Sequence, residues 1–107
     1  SLARDMREAE SVFREVPFNI EIDASILDEK AKGSKILLQG IIDCFFIKDG
    51  QITLVDYKTD YFSHVSEIVK KYARQLEFYK MAIEAKNIYK VNKKVIYLFY
   101  NNTMIEV

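Results

Sequence analysis

The pair Asp49-Gly50, set between two apolar runs, constrains this chain more than any other stretch. A type I′ turn needs φ > 0 at both central residues, so Asp-Gly flanked by apolar segments predicts a β-hairpin. With these two as the turn, Lys48 faces Gln51 and Ile47 faces Ile52, and further down the ladder Asp43 faces Asp56. Directly opposed side chains have Cβ atoms roughly 4.5–5.5 Å apart, and like charges so placed repel. Two carboxylates in that position inside an apolar hairpin imply something cationic between them. Lys58 lies two residues past Asp56, so it projects from the same face, with Ile41 as its partner in this register. The hairpin therefore predicts two acids and one amine converging on one patch of a sheet.

The flanking sequence supplies the rest of the sheet. Leu2, Met6, Ala9, Val12 and Phe13 fall at helical spacing over residues 1–14. Pro17 ends that helix, because the residue before a proline is pushed towards extended geometry. Residues 18–26 alternate apolar and polar, as a half-buried strand does. Residues 28–34, with Gly33, read as a loop. Residues 36–47 are apolar on both faces apart from Gln39 and Asp43, which predicts a central strand and an Asp43 withdrawn from bulk water. Residues 51–59 form the third strand. Over residues 63–87, Ile68, Tyr72, Leu76, Tyr79 and Ile83 make one apolar helical stripe. Ser63 or Ser66 is placed to cap that helix, and Glu67–Lys71 and Lys80–Glu84 are set for i,i+4 pairing. Residues 95–100 read as a strand buried on both faces, Asn101-Asn102 as a turn, and the last residues as another strand beginning.

The order is therefore α-β-β-β-α-β. Three antiparallel neighbours followed by a crossover helix place the next strand parallel to an earlier one. The expected fold is α/β, a mixed β-sheet flanked by helices.

The chain has 107 residues, enough for one domain, and half of them are hydrophobic. Its 16 basic and 16 acidic residues cancel. A neutral total argues against binding nucleic acid through bulk positive charge, and leaves room for a local basic patch. The single cysteine, Cys44, excludes an internal disulfide framework and a cysteine-rich zinc site, and fits a reducing compartment. No apolar run approaches the roughly 18–20 residues that span a bilayer, and the charged first residues do not resemble a signal peptide. The absence of an initiator methionine and the strand starting at the end suggest a piece of a longer protein.

Two close carboxylates without histidine or cysteine nearby offer hard oxygen ligands, which suit Mg²⁺, or Mn²⁺ in its place, better than zinc. Magnesium is commonly held by one or two carboxylates together with substrate phosphate oxygens. Such a site supports phosphodiester hydrolysis. Lys58 is placed to orient the attacking water or to offset charge on the phosphate. Beside two carboxylates it should stay protonated in the absence of metal.

The segments Gly-Ile-Ile-Asp at 40–43, Asp-Tyr-Lys-Thr-Asp at 56–60 and Gln-Leu-Glu-Phe-Tyr at 75–79 resemble the GxxD, (D/E)xK and QxxxY motifs of RecB-type nucleases in the PD-(D/E)XK superfamily. Within them, the chain looks most like the C-terminal nuclease domains of the AddA helicase–nuclease family. Each motif alone is weak. Three in order, on the expected strand, strand and helix, are fairly specific.

The resemblance implies a restriction-endonuclease-like fold forming one nuclease domain over residues 1–107. It also implies metal-dependent deoxyribonuclease or exonuclease activity in double-strand break repair and recombination. Asp43 and Asp56 would hold the metal beside the Tyr57 backbone carbonyl, and Lys58 would be the catalytic lysine. Gln75 and Tyr79 would face the site and position DNA or the active-site groups. The partners implied are DNA, as a single strand fed from a helicase motor, and an AddB-like protein, in the bacterial cytoplasm with no membrane. One departure is that RecB-type nucleases usually carry a metal-ligating histidine well upstream of GxxD. His64, the only histidine, follows the lysine motif instead, as if the chain began after that helix, in which case the isolated chain binds metal poorly.

Other readings stand beside these. Lys70, Lys71 and Arg74 either touch phosphates or form a solvated basic face. Lys58 either serves the site or simply pairs with Asp56 or Asp60. Tyr61 and Phe62 either stack on a base or pack at a strand-to-helix junction. Glu15 lies near the site without a spacing argument, and His64 and Cys44 read as structural. At the level of the whole chain, the alternatives are a stand-alone RecB-like exonuclease of the CRISPR-associated type, and an inactive nuclease fold used for DNA binding or subunit contact.

Overall fold

A computed structural model describes residues 1–87 and 89–107. The elements are α1 (Leu2–Glu8), β1 (Ser11–Asp23), β2 (Lys35–Lys48), β3 (Gln51–Lys58), α2 (Val65–Lys86), β4 (Val91–Leu98) and β5 (Thr103–Glu106). Two short 3₁₀ turns, Ala24–Ile26 and Glu29–Ala31, lie in the β1–β2 connection. The five strands form one sheet in the order β1-β2-β3-β4-β5. Only β3 and β4 are parallel, joined across α2, and every other pair is antiparallel. This is the mixed α/β sheet expected of a restriction-endonuclease-like fold.

The hairpin forms as the turn chemistry dictates. Asp49 and Gly50 have φ of 53° and 72°, and Lys48 pairs with Gln51 and Ile47 with Ile52. Between the sheet and α2 lies the main core, built from Ile42, Phe45, Ile52, Leu54, Leu76, Ile83, Ile96 and their neighbours. On the opposite face Cys44, Phe46 and Val55 are covered by Leu2, Met6 and Ala9 of α1 and its end.

Several expectations are corrected. The first helix stops at Glu8, and residues 11–14, expected to be helical, already belong to β1. Pro17 sits within that strand, where it is tolerated because β1 is the sheet edge and its missing N–H interrupts no inner ladder. The same strand ends at Asp23, whose carboxylate accepts from the N–H groups of Ser25 and Gly33 and turns the chain away. Ile26 is therefore in a turn and exposed. The arm of β2 before Ile42 is not covered on both sides, since Leu37 and Ile41 are 57% and 59% exposed. The last predicted strand ends at Leu98, and Phe99 and Tyr100 are exposed in the turn. Neither Ser63 nor Ser66 caps α2, whose N-cap is His64 without a side-chain hydrogen bond. Neither expected i,i+4 pair forms among the described residues, because Lys71 reaches Asp60 and the Glu84 carboxylate accepts from the Val91 N–H.

Candidate active site

The β2–β3 ladder closes with the pair Cys44–Val55. One step further the two strands part. β2 continues against β1, with Ile42 opposite Val16, while β3 continues against β4 alone, with Asp56, Tyr57 and Lys58 opposite Ile96, Tyr97 and Leu98. Lys58 therefore does not meet Ile41, which pairs with Pro17 instead. The fork leaves strand groups without ladder partners, and a side chain takes up one of them. Asp43 Oδ2 accepts the Tyr57 N–H at 2.9 Å. Asp43 and Asp56 thus stand on the two prongs at the point of separation.

The backbone shows why the strands part here. Between Arg14–Cys44 and Val16–Ile42 the pair Glu15/Asp43 is missing from the β1–β2 register. Glu15 has φ of 51°, in the left-handed region. Phe45 and Ile42 both face α2 although three positions apart, so the alternation of β2 slips once between them. Phe13, stacked on Phe45, and Val16 record the same slip on β1. No composition or period signal marks this slip. The nearest sequence hint is a charged residue directly before Val16-Pro17.

Asp56 is the only buried charged residue among those described, 2% exposed. The more withdrawn acid is thus Asp56 rather than Asp43, which is half-buried. Lys58 Nζ lies 2.9 Å from Asp56 Oδ2 as an ion pair, yet that oxygen has no aligned hydrogen-bond donor. Burial pushes the Asp56 carboxyl up to about 6, the attraction of Lys58 offsets part of this, and the Asp43 carboxylate adds to it. Burial works against the Lys58 charge, but Asp56 outweighs it and the ammonium is held above its ordinary pKa.

Behind Lys58 a polar chain runs into α2. Lys58 Nζ donates to Gln75 Oε1 at 3.1 Å, and Gln75 Nε2 donates to the Tyr79 hydroxyl at 2.8 Å. Gln75 and Tyr79 are one helical turn apart, so both face the fork. The ammonium also lies 4.2 Å from the centre of the Tyr72 ring. Tyr72 in turn donates to Asp60 at 2.7 Å, and Lys71 pairs with the same oxygen at 3.2 Å. Lys58 thus pairs with Asp56, while Asp60 holds Tyr72 and Lys71. Nothing in the sequence marks the roles of Tyr72 and Asp60, since Tyr72 is indistinguishable there from the rest of the apolar stripe.

Gly40 supports this chain from β2. A Cβ there would lie 2.8 Å from Cε1 of Phe18, so any larger residue would make that ring shift. Phe18 packs edge-on against Tyr79, with centroids 5.4 Å apart. The glycine of the Gly-Ile-Ile-Asp segment therefore acts through packing.

The remaining candidates separate. Lys71 and Arg74 line a cleft of about 500 Å³ between the β1–β2 arm and α2, whereas Lys70 does not. On the other side of the fork, Arg14, Glu15, Asp43, Tyr57 and Phe99 border a second hollow of about 550 Å³. Tyr61 is 76% exposed and leans on Tyr100, while Phe62 packs against the core beside Tyr72. Cys44 is buried, which pushes its thiol up.

A hard divalent cation fits these donors. Two carboxylates converge, and one has a buried oxygen without a hydrogen bond, which a cation would satisfy. Among the described residues no cluster of three or more Asp, Glu, His or Cys accompanies them.

Comparison with known proteins agrees with this chemistry. A family model described as the PD-(D/E)XK nuclease superfamily matches residues 1–106. An ATP-dependent helicase/nuclease of Clostridium botulinum (strain Alaska E43 / Type E3) has a subunit 47% identical over 93 residues, 83% of this chain and 8% of that protein. The protein of the same name from Thermoanaerobacter sp. (strain X514) is 41% identical over 112 residues, 99% of this chain and 9% of its own length. That from Clostridium beijerinckii is 44% identical over 104 residues, 92% of this chain and 8% of its own. The chain thus spans less than a tenth of the length of these relatives.

Proposed function

The chain belongs to the PD-(D/E)XK nuclease superfamily, and on that premise we propose that it hydrolyses DNA phosphodiesters at the β2–β3 fork as the nuclease domain of an AddA-type helicase–nuclease. The observation that carries the reading is the meeting of Asp56, Lys58 and Gln75 at hydrogen-bonding distances beside Asp43. Asp43 and Asp56, with the Tyr57 carbonyl, would hold Mg²⁺ or Mn²⁺. The chemistry such an ion supplies is polarisation of the scissile phosphate and a lowered pKa for a bound water.

The protein's own groups do the rest. Lys58, kept protonated by Asp56, would offset the negative charge that builds up on the phosphate. Gln75 fixes the ammonium in direction, and Tyr79 fixes Gln75. Of the three cations along α2, Lys71 and Arg74 line the cleft and are the candidate phosphate contacts, whereas Lys70 belongs to a solvated face. No helix among the described residues is long and apolar enough to cross a membrane. The wider setting follows the same reading: a single DNA strand delivered by a helicase motor, an AddB-like partner, and break repair and recombination in the bacterial cytoplasm. An inactive fold is disfavoured because both acids and the lysine are present and in contact.

Calorimetric titration of Mn²⁺ into the chain and into Asp56→Ala tests the reading. One site, weak because only two acidic side chains among the described residues supply it, is expected in the parent and none in the variant. Equal uptake by both proteins, or none by either, would overturn it.

A further inference from the structure

We propose that the cleft between the β1–β2 arm and α2 seats one nucleotide of single-stranded DNA next to the scissile phosphate, with Arg74 on its phosphate and Phe78 against its base. This rests on the nuclease reading above and adds a subsite to it.

Gln75 and Tyr72, which hold the Lys58 ammonium, also form the inner end of the cleft. A strand whose phosphate lies at Lys58 therefore has this cleft as its next space on the α2 side. At about 500 Å³ the cleft lies within the range that takes small organic ligands, which runs from about 300 to 1,000 Å³.

Phe18 and Phe78 give apolar aromatic surface on the two sides. An aromatic wall accepts the face of any base, provided that the base is unpaired. Arg74 is exposed at the rim and has no carboxylate partner among the described residues. Lys71, the other cation there, is already paired with Asp60. The Arg74 guanidinium stands beside an aromatic cleft that holds no carboxylate, and its fork of donors suits a phosphate. Lys70 is exposed but lies off the cleft, so the cleft separates two cations that the helix sequence makes look equivalent.

Fluorescence anisotropy with a short labelled oligothymidylate, in EDTA so that nothing is cut, tests the assignment across a range of salt. Arg74→Ala should weaken binding and reduce the slope of log K against log[salt] by about 0.7, the value for one lost contact on a single strand. Arg74→Lys should restore most of the slope, and Lys70→Ala should change neither quantity. Phe78→Ala, checked for an intact thermal transition, should weaken binding by about tenfold with the slope unchanged. An unchanged slope in Arg74→Ala, equal losses in Arg74→Ala and Lys70→Ala, or no binding by the parent chain would overturn the proposal. The Mn²⁺ titration keeps the two readings apart. Uptake of metal together with an indifferent Arg74 removes the cleft and leaves the nuclease, whereas no uptake removes the nuclease whatever the cleft does.

Discussion

The two halves of the β2–β3 hairpin contrast sharply. From the turn to Cys44–Val55 the strands are laddered, and Cys44, Ile52, Leu54 and Val55 are all fully buried. Past that pair the β2–β3 ladder is gone, and the side chains of Asp43, Asp56 and Lys58 make the contacts instead, Asp43 accepting from the Tyr57 backbone N–H. The closed half satisfies its backbone within the sheet and buries apolar surface on both faces. The open half holds two carboxylates near one another and a carboxylate oxygen without a hydrogen bond, both of which cost stability. Stability and chemistry are thus divided along one hairpin, with the boundary at a single residue pair.

Substitutions on either side should separate these properties. The largest effect expected is on the closed side. Leu54→Ala should cost about 2–5 kcal/mol in denaturant unfolding, since Leu54 is wholly buried under α2. Where the variant remains folded, its Mn²⁺ site should persist. A variant that loses the site while folded would dissolve the distinction.

The next effect is on the open side. A carboxyl raised to about 6 when folded binds its proton more readily than in the unfolded chain, whose value is near 3.8. Its contribution therefore favours the folded state below that window and is lost as pH rises through it. Metal-free stability should fall by up to about 3 kcal/mol between roughly pH 4 and pH 6 on account of this group. Asp56→Asn should flatten that part of the profile, and Asp43→Asn should lessen it. Mn²⁺ affinity should run the opposite way, rising with pH through the same window as the ligand deprotonates. An unaltered stability profile in Asp56→Asn would show that the burial of this acid carries no such penalty.

The smallest effect concerns the support of the open half. Tyr79→Phe removes the hydroxyl that accepts from Gln75 and should cost about 1 kcal/mol in unfolding. In a nuclease assay it should also lower turnover modestly, through a less well directed Lys58. A variant with unchanged turnover would assign Tyr79 to the core alone.

What the sequence disclosed follows the same boundary. Turn chemistry and alternation carried the hairpin and its register as far as Cys44–Val55, which rest on near neighbours in the chain, while the order of the elements carried the parallel crossover. The acids, the lysine and the Gln75–Tyr79 pair were legible as motifs. The fork was not, since continuing the ladder placed Lys58 opposite Ile41, whereas the strands part beside the backbone slip at Glu15. Helical spacing over residues 1–14 misled for a related reason. Val12 and Phe13 fit a helix as well as a strand, and pairing with Phe46 and Phe45 decided the matter. Tyr72 and Asp60 were missed because their contact joins a loop to a helix, which no local period records.

Position 40 extends the same point to the aim of the lysine. Phe18 sits as it does because that residue ends at hydrogen, and the ring leans on the tyrosine that steadies the glutamine holding the ammonium. A single added methyl on β2 would press on the Phe18 ring, the first member of a run of contacts that finishes at Lys58, in another strand. The bearing of that amine is thus calibrated by an omission in the neighbouring prong, where a survey of charged and polar groups would find nothing to inspect.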